Sequence, residues 1–325
     1  MLYKILKTRI KQLGGFRLVI EYARMGVLWS MMKTVLRNPF SRQSYKRAYA
    51  VALAVVEPML KERYREVMLR ASQCHESSDS GIPHEHPKVI WFCWMQGMHS
   101  APDIVKACYS SLTGLEGYTL RVIDDKNWRE YVTLPDFIVR MWEKGQIPPA
   151  HFSDLLRLEL LIRYGGTWMD ATILYTGKFN DSLEFLEADL FMFQYRRPGS
   201  AEWGGIGNWF ISACQNNRVL MVLQEMLYAY WRDYDCVLDY YIFHLFFSML
   251  REVFPEDIDA MPYRYARQSL ILVHHWEECF DKAKWDNLVN HVNFHKLAYM
   301  VPSGVVKDKK NFYNYVLNLA QCSLT

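Results

Sequence analysis

The chain has 325 residues and a net charge of +3, and 51% of its residues are hydrophobic. This composition excludes an intrinsically disordered protein and allows one large α/β domain with an additional segment. The seven cysteines show no metal-binding spacing and no uninterrupted apolar run is long enough to span a bilayer, so a cytoplasmic location is expected.

The first region, residues 1–80, is predicted to be a basic helical leader. Apolar residues recur at helical spacing, and Gly14-Gly15 and Asn38-Pro39 interrupt the pattern, which predicts helices over 1–13, 16–36 and 44–71. The third of these helices contains Pro58. A polar stretch rich in Ser, Pro and Gly, residues 74–87, is predicted to link the leader to the rest of the chain.

The charge of this leader predicts a partner. Residues 1–50 contain eleven Lys and Arg but one acidic residue, Glu21. An anionic membrane surface on the inner face of the plasma membrane is one expected partner. Packing of a helical subdomain on the catalytic body, or binding of a protein partner, is the other interpretation. In the membrane interpretation, a set of interleaved apolar residues inserts shallowly: Phe16, Leu18, Leu28, Trp29 and Met31.

The second region, residues 85–325, alternates between short apolar runs and helical patterns. This alternation predicts an α/β fold in which helices flank a sheet. Strands are predicted at 88–94, 118–124, 167–175 and 189–195, and helices at 102–112, 151–164, 217–231 and 239–253. Ligands bind such sheets at the carboxyl ends of the strands. Trp94 and Asp170 are therefore candidate site residues.

Two charged features stand out in this region. Asp154 and Arg157 are three residues apart on a predicted helix and share a face, either as a surface ion pair or as a joint grip on sugar hydroxyls or phosphate. Asp170 follows the helix-stopping Gly165-Gly166 by four residues. A carboxylate in an apolar strand is costly unless a cation or metal ion pairs with it, although Asp170 would also suit the cap of a turn.

Further candidates have weaker support. His274 and His275 follow an apolar, strand-like run, and they are either ordinary core or surface histidines or metal ligands beside Asp170. Asp239 and Asn208 are candidates to line the sugar or acceptor pocket, and the alternatives are a charge at a helix N-terminus and a turn residue. There is no Gly-rich phosphate loop or GxSxG motif that would indicate a kinase or a hydrolase.

Taken in order, four segments resemble a known family: "PKVIWFCWMQG", "CYSSL", "AHFSDLLRLELLIRYGGTWMDATI" and "HHW". The series is similar to the DxD sugar-binding-region glycosyltransferases of family 32, and more narrowly to the capsular polysaccharide synthesis branch with its W-x-D-A-T variant. The resemblance covers about residues 85–300. It implies a GT-A-type nucleotide-binding sheet, with a divalent metal ion, Mn or Mg, at the donor diphosphate.

The resemblance also assigns roles. Trp94 is expected to stack on the nucleobase, Asp154 and Arg157 to hold the donor sugar, and Asp170 to be the first DxD carboxylate. His274 or His275 lies in the C-terminal region that contributes to metal binding in GT-A enzymes. Where the family has its second carboxylate, this chain has Thr172. Metal dependence is therefore open, and the alternatives are a weakly held ion or Arg or Lys side chains at the diphosphate.

The expected activity is a retaining transfer of a sugar from a nucleotide-sugar donor to a saccharide acceptor in capsule, O-antigen or exopolysaccharide synthesis by a bacterium. The acceptor is expected to be a lipid-linked oligosaccharide or the growing polysaccharide, and Asp170 and Asp239 are the catalytic candidates. A non-catalytic scaffold with the same fold is the alternative, since Thr172 removes a carboxylate. Transfer of a phosphate-containing group is a third, less favoured interpretation. Nucleic acid is not expected as a partner.

Overall fold

The computed structural model describes residues 13–37, 41–76, 86–195 and 205–322. The seven strands in these residues are β1 Val89–Cys93, β2 Thr119–Ile123, β3 Gly166–Asp170, β4 Ile173–Tyr175, β5 Leu190–Gln194, β6 Ile206–Ala213 and β7 Phe294–Lys296. The helices are α1 Phe16–Arg24, α2 Leu28–Leu36, α3 Arg42–Glu76, α4 Asp103–Leu112, α5 Trp128–Tyr131, α6 Asp136–Glu143, α7 Pro149–Tyr164, α8 Arg218–Asp233, α9 Ile242–Met249, α10 Pro255–Ala260, α11 Ala266–Ser269, α12 Ile271–His274, α13 Lys282–Val289, α14 Ser303–Lys307 and α15 Phe312–Cys322.

The predicted α/β class, with helices around a sheet and a helical N-terminal region, is confirmed. The chain divides into two compact units that are each discontinuous in sequence. The helical unit comprises residues 1–82, 133–159 and 218–255, and the sheet unit comprises residues 83–132, 160–217 and 256–325. The predicted boundary between a leader and a main domain at 80–85 stays a prediction, because it lies outside the described residues.

The helical unit is built around α3, which packs along α8. Tyr64 on α3 places its ring 5.1 Å from that of Phe246, and its hydroxyl donates a hydrogen bond to Asp233 Oδ2 at 2.9 Å. Pro58 lies inside α3 as predicted. In the part of the chain described by the structure, no helix is long and apolar enough to cross a bilayer.

The N-terminal helices differ from the sequence prediction. One helix was predicted over 16–36, but Gly26 has a φ of +71° and separates α1 from α2. Leu18 was expected to insert into a membrane, and this assignment is wrong because it is only 4% exposed and belongs to the core. Phe16 and Trp29 are 77% and 61% exposed, which agrees with their predicted outward position. The predicted helix 1–13 lies almost entirely outside the described residues.

The main sheet of the sheet unit has the strand order β2-β1-β3-β6-β5. β1 is parallel to β2 and to β3, whereas β6 is antiparallel to β3 and to β5. The register of β1 and β3 pairs Cys93 with Asp170, so both strands end at the same edge. β4 and β7 form a second, two-stranded antiparallel sheet. Side chains of Phe92, Met169 and Phe210 are completely buried in the core of this unit.

The turn from α7 into β3 requires glycine, as predicted. Gly165 and Gly166 have φ angles of +67° and +93°, and a Cβ on Gly166 would lie 2.6 Å from the Val89 carbonyl oxygen. The Gly165 carbonyl accepts a hydrogen bond from Trp91 Nε1 at 2.9 Å. The two glycines therefore end the helix and bring the start of β3 against β1.

Three sequence assignments in this unit are corrected. The single strand predicted over 167–175 is two strands in different sheets, separated by a turn at Ala171 and Thr172. Asn208 lies within strand β6, which the sequence analysis did not predict, and not in a turn. His274 ends the short helix α12, so the run before it is helical and not a strand.

Candidate functional site

The carboxyl end of β3 carries a cluster of polar groups. The Lys296 ammonium donates to Asp170 Oδ2 at 2.7 Å and to Thr172 Oγ1 at 2.8 Å. Trp168 Nε1 donates to the other carboxylate oxygen, Asp170 Oδ1, at 3.0 Å. The side chains of Lys296 and Asp170 are 20% and 28% exposed, so the cluster is accessible to a ligand.

Strand geometry explains why these residues meet. Trp168 and Asp170 are two residues apart on β3, and such residues point to the same face of a strand. The pairing of β4 with β7 sets Ile173 opposite Lys296. The backbone N–H of Leu297 also donates to the Thr172 carbonyl at 2.8 Å. The turn that separates β3 from β4 therefore holds residues 170 and 172 beside the end of β7.

Lys296 was missed by the sequence analysis. It lies in "VNFHKLAY", a short apolar segment with one charge, which is the same pattern that singled out Asp170. Its partner lies 126 positions away in the sequence, and no local pattern predicts such a pairing. The hydrogen bond from Trp168 to Asp170 was also not predicted.

The cluster can be tested against the divalent metal ion that the resemblance implies. Mg²⁺ and Ca²⁺ prefer several oxygen ligands, carboxylates above all. Here the neutral Thr172 hydroxyl replaces one carboxylate, and the Lys296 ammonium already contacts Asp170 Oδ2 and Thr172 Oγ1. Two unit charges 4 Å apart interact by about 4 kcal/mol at an effective dielectric constant of 20, so the repulsion between Lys296 and a divalent ion at that distance, roughly 8 kcal/mol, offsets the attraction of that ion to Asp170. This donor set does not fit a divalent cation.

The predicted histidine ligands do not complete a metal site. His274 is exposed, and His275 Nδ1 lies 2.7 Å from Glu278 Oε1. Within the described ranges, no group of three or more His, Cys, Asp or Glu side chains is arranged to hold a metal ion. Asp170, His274 and His275 therefore do not form such a group.

The second polar cluster lies in the helical unit, on α7. Arg157 donates to Asp154 Oδ1 at 2.8 Å and to Ser153 Oγ at 3.1 Å, so the predicted shared face is confirmed. The interpretation as a surface ion pair is wrong, because the Asp154 and Arg157 side chains are only 11% and 5% exposed. A buried pair of this kind is held in a defined geometry by its charge-assisted hydrogen bonds.

His151 completes this second cluster. Its Nδ1 lies 4.0 Å from Asp154 Oδ2, and its ring packs edge-on against Trp231 and Tyr240. Burial, together with the nearby Arg157 charge, lowers the pKa of His151 to about 4. The imidazole is consequently neutral at physiological pH, and Arg157 supplies the positive charge beside Asp154.

Trp94 lies just beyond β1, at the sheet edge where strands β1 and β3 end. Its backbone N–H donates to the Ile123 carbonyl at 2.9 Å, which fixes the residue to β2. The indole is half-buried and contacts Tyr299 edge-on, with ring centroids 5.3 Å apart. Its predicted stacking on a nucleobase stays a prediction. Asn208 is partly exposed on β6, and its predicted role in a pocket also stays a prediction.

Asp239 has the environment of a structural group. It is 1% exposed, and its Oδ1 accepts hydrogen bonds from the Tyr49 hydroxyl at 3.2 Å and the Tyr241 N–H at 2.9 Å. Burial raises the pKa of this carboxyl above its usual value. These contacts tie α3 to the segment before α9, as expected for a charge that precedes a helix. Its catalytic role stays a prediction.

Comparisons with known proteins add to this geometry. The family model described as "Capsular polysaccharide synthesis protein" matches residues 34–316. The O-glycosyltransferase PaGT of Phomopsis amygdali is 25% identical over 191 residues, which cover 54% of this chain and 45% of that protein. The chain thus spans less than half the length of this curated relative.

A solved structure, the PaToxG glycosyltransferase, also matches. The match covers 80% of this chain and 98% of that one, with 13% sequence identity and a TM-score of 0.36. A similarity this distant carries no argument about fold or activity.

Proposed function

This chain belongs to the family of capsular polysaccharide synthesis proteins, and on that premise we propose that it is a glycosyltransferase. The proposed reaction moves a sugar from a nucleotide-sugar donor, with retention of anomeric configuration, to a lipid-linked or growing surface polysaccharide. The observation that supports this most directly is the charged cluster of Asp170, Thr172 and Lys296, which lies at a strand end and within the residues matched by the family.

Sugar transfer requires that the leaving diphosphate is stabilised and that the acceptor hydroxyl is held in place. Fixed charges and hydrogen-bond donors supply the first, and binding contacts supply the second. We assign the diphosphate to the cluster at Asp170. The family resemblance assigns Asp154 and Arg157 to sugar hydroxyls and the half-buried Trp94 to the nucleobase, on which its indole would stack.

Hydrolysis of a panel of nucleotide sugars by the wild type and by Asp170→Ala tests this function. We expect the wild type to hydrolyse at least one donor slowly in the absence of acceptor, and the variant to be impaired. Thermal unfolding of both proteins controls for loss of fold. Undiminished turnover by a folded Asp170→Ala protein would overturn the assignment of the site.

Nucleotide binding separates an enzyme from a scaffold. Calorimetry or thermal shift with UDP and GDP, each with and without Mn²⁺, measures it directly. A glycosyltransferase is expected to bind at least one of them. If neither nucleotide shifts the unfolding temperature under any condition, the non-catalytic scaffold is favoured.

We also propose that residues 1–50 bind an anionic membrane surface on which the acceptor lies. Three large apolar side chains of α1 and α2 support this, because Phe16, Trp29 and Leu36 are 77%, 61% and 67% exposed. Each Lys or Arg near an anionic membrane contributes about 1 kcal/mol to binding. Some of that charge is already paired, as in the contact of Arg17 with Asp235 at 2.6 Å, so the apolar side chains are expected to contribute strongly.

Flotation with vesicles tests the membrane proposal on the full-length chain. The wild type is expected to float with phosphatidylglycerol-containing vesicles and not with phosphatidylcholine alone, and combined Ser substitutions of Phe16, Trp29 and Leu36 should reduce flotation. Met300→Ser is the matched control, because Met300 is 79% exposed elsewhere in the chain. Equal flotation of the triple variant and the wild type would contradict the proposal.

A further inference from the structure

We propose that the Lys296 ammonium takes the place of the divalent metal ion in this glycosyltransferase and binds the diphosphate of the donor directly. This inference rests on the proposed function and concerns the same site. It makes nucleotide binding independent of Mn²⁺ and Mg²⁺.

The contacts of Lys296 support this role. The ammonium has three N–H donors, and the two described contacts, to Asp170 Oδ2 and to Thr172 Oγ1, use two of them. A third donor remains for a phosphate oxygen. Because the side chain is 20% exposed, that donor is accessible, and the two protein acceptors fix the position of the charge in advance.

The charge balance supports the same conclusion. Two carboxylates with a divalent ion have a net charge of zero. Asp170 with Lys296 also has a net charge of zero, although both the acid count and the cation charge are smaller. The presence of Thr172 in place of a carboxylate is therefore not the loss of a metal ligand. Instead, its hydroxyl serves as the second acceptor for the ammonium.

During transfer, the bond between the anomeric carbon and the phosphate oxygen breaks and leaves its electron pair on that oxygen. The acceptor oxygen forms the new bond as its proton is released to the medium. The negative charge that develops on the diphosphate is stabilised by Lys296, which is a positioned cation and needs no ion from solution. Asp170 holds Lys296 in place, and Trp168 holds Asp170 through the hydrogen bond to Oδ1.

Calorimetric titration of the full-length chain with UDP, UMP, GDP and GMP tests the inference. The wild type is expected to bind one of the diphosphates equally well in EDTA and in Mn²⁺. Lys296→Met keeps the aliphatic stem. It should weaken binding of that diphosphate by about 10- to 100-fold, as expected for loss of a charge-assisted hydrogen bond, and weaken binding of the corresponding monophosphate less. Lys296→Arg keeps the charge and should bind more tightly than Lys296→Met. Lys282→Met is the matched control, because Lys282 is an exposed lysine of the same unit that pairs with Asp286.

A second measurement needs no nucleotide. If Lys296 occupies the metal position, then Thr172→Asp combined with Lys296→Ala should create a Mn²⁺ site that electron paramagnetic resonance detects, and the wild type should bind no Mn²⁺. Failure of the double variant to bind Mn²⁺, or Mn²⁺ binding by the wild type that Asp170→Asn abolishes, would contradict the inference. Thermal unfolding of each variant verifies that it is folded.

The outcomes separate the inference from the proposed function. If the wild type binds a diphosphate only in the presence of Mn²⁺, or if Lys296→Met binds as tightly as the wild type, the role of Lys296 is wrong while the enzyme assignment stands. If the wild type binds neither diphosphate under any condition, the proposed function itself fails.

Discussion

Replacement of Arg157 by Met is expected to lower the free energy of unfolding by about 3–5 kcal/mol at pH 8. This is the usual cost of removing one member of a buried ion pair while the other member stays in place. The guanidinium lies 2.8 Å from Asp154 Oδ1, and the two side chains are only 5% and 11% exposed, so water replaces little of the lost interaction. Asp154→Asn should cost a comparable amount, because it leaves the guanidinium without a carboxylate at that distance.

The double variant Asp154→Asn with Arg157→Met should cost much less than the sum of the two single changes. Neither charge then remains in the buried site, and replacement of a whole buried pair by neutral groups is often nearly neutral. The difference between the double variant and the summed single variants measures the coupling free energy of the pair.

The structure also predicts how Arg157→Met depends on pH. Arg157 is one of the groups that lower the pKa of His151, so its removal raises that pKa. A protonated His151, with Nδ1 4.0 Å from Asp154 Oδ2, then supplies part of the missing positive charge. The destabilisation relative to wild type should therefore be smaller at pH 5 than at pH 8.

Urea unfolding followed by far-UV circular dichroism gives these free energies. A loss below about 1 kcal/mol for Arg157→Met would mean that the pair behaves like an exposed ion pair. Additive single changes, or a loss that does not depend on pH, would refute the description of Asp154, Arg157 and His151 as one buried electrostatic unit.

Two further predictions concern the backbone and the pH dependence of the wild type. Gly166→Ala should lower the free energy of unfolding by about 2–4 kcal/mol, because an added Cβ combines a φ of +93° with a 2.6 Å approach to the Val89 carbonyl oxygen. Gly117→Ala, with a φ of +79° but no atom within 4 Å, should cost only about 1–2 kcal/mol in the same urea titration, and equal losses would contradict the steric argument. His151 and His295 are buried with pKa values lowered to about 4, so each binds a proton more weakly in the folded than in the unfolded chain. Their stabilising contribution is complete above pH 6.5 and is lost as the pH falls toward 4, by roughly 3 kcal/mol for each group. His295→Gln should reduce that decrease in urea titrations at pH 7.5 and pH 5, and an unchanged pH dependence would exclude His295 as a source of it.

Local patterns predicted the elements that local forces determine. The broad apolar face of α7, the Gly165-Gly166 stop and the continuous apolar run of β1 each lie within one sequence window, and all three are confirmed. The family resemblance inferred from the four quoted segments is confirmed by the match over residues 34–316.

Elements that depend on distant partners were not predictable in this way. β4 and β7 have three residues each, too few for a periodic pattern, and they exist because they pair with each other. The break at Thr172 has the same origin, since its carbonyl accepts a hydrogen bond from Leu297. Burial of the Asp154 and Arg157 pair is also a tertiary property, and helical spacing alone favoured a surface position.

Residues 172 and 296 are electrostatically coupled although 124 positions separate them. Thr172→Asp alone would give the cluster a net charge of −1, because Lys296 balances only one carboxylate. Lys296→Ala alone would also give −1, from the Asp170 carboxylate. Both changes together would give −2, which a divalent ion balances. The pairing of β4 with β7 places the two positions in contact, so the missing DxD carboxylate and the lysine are best understood as one arrangement: a single acid that needs a single fixed cation.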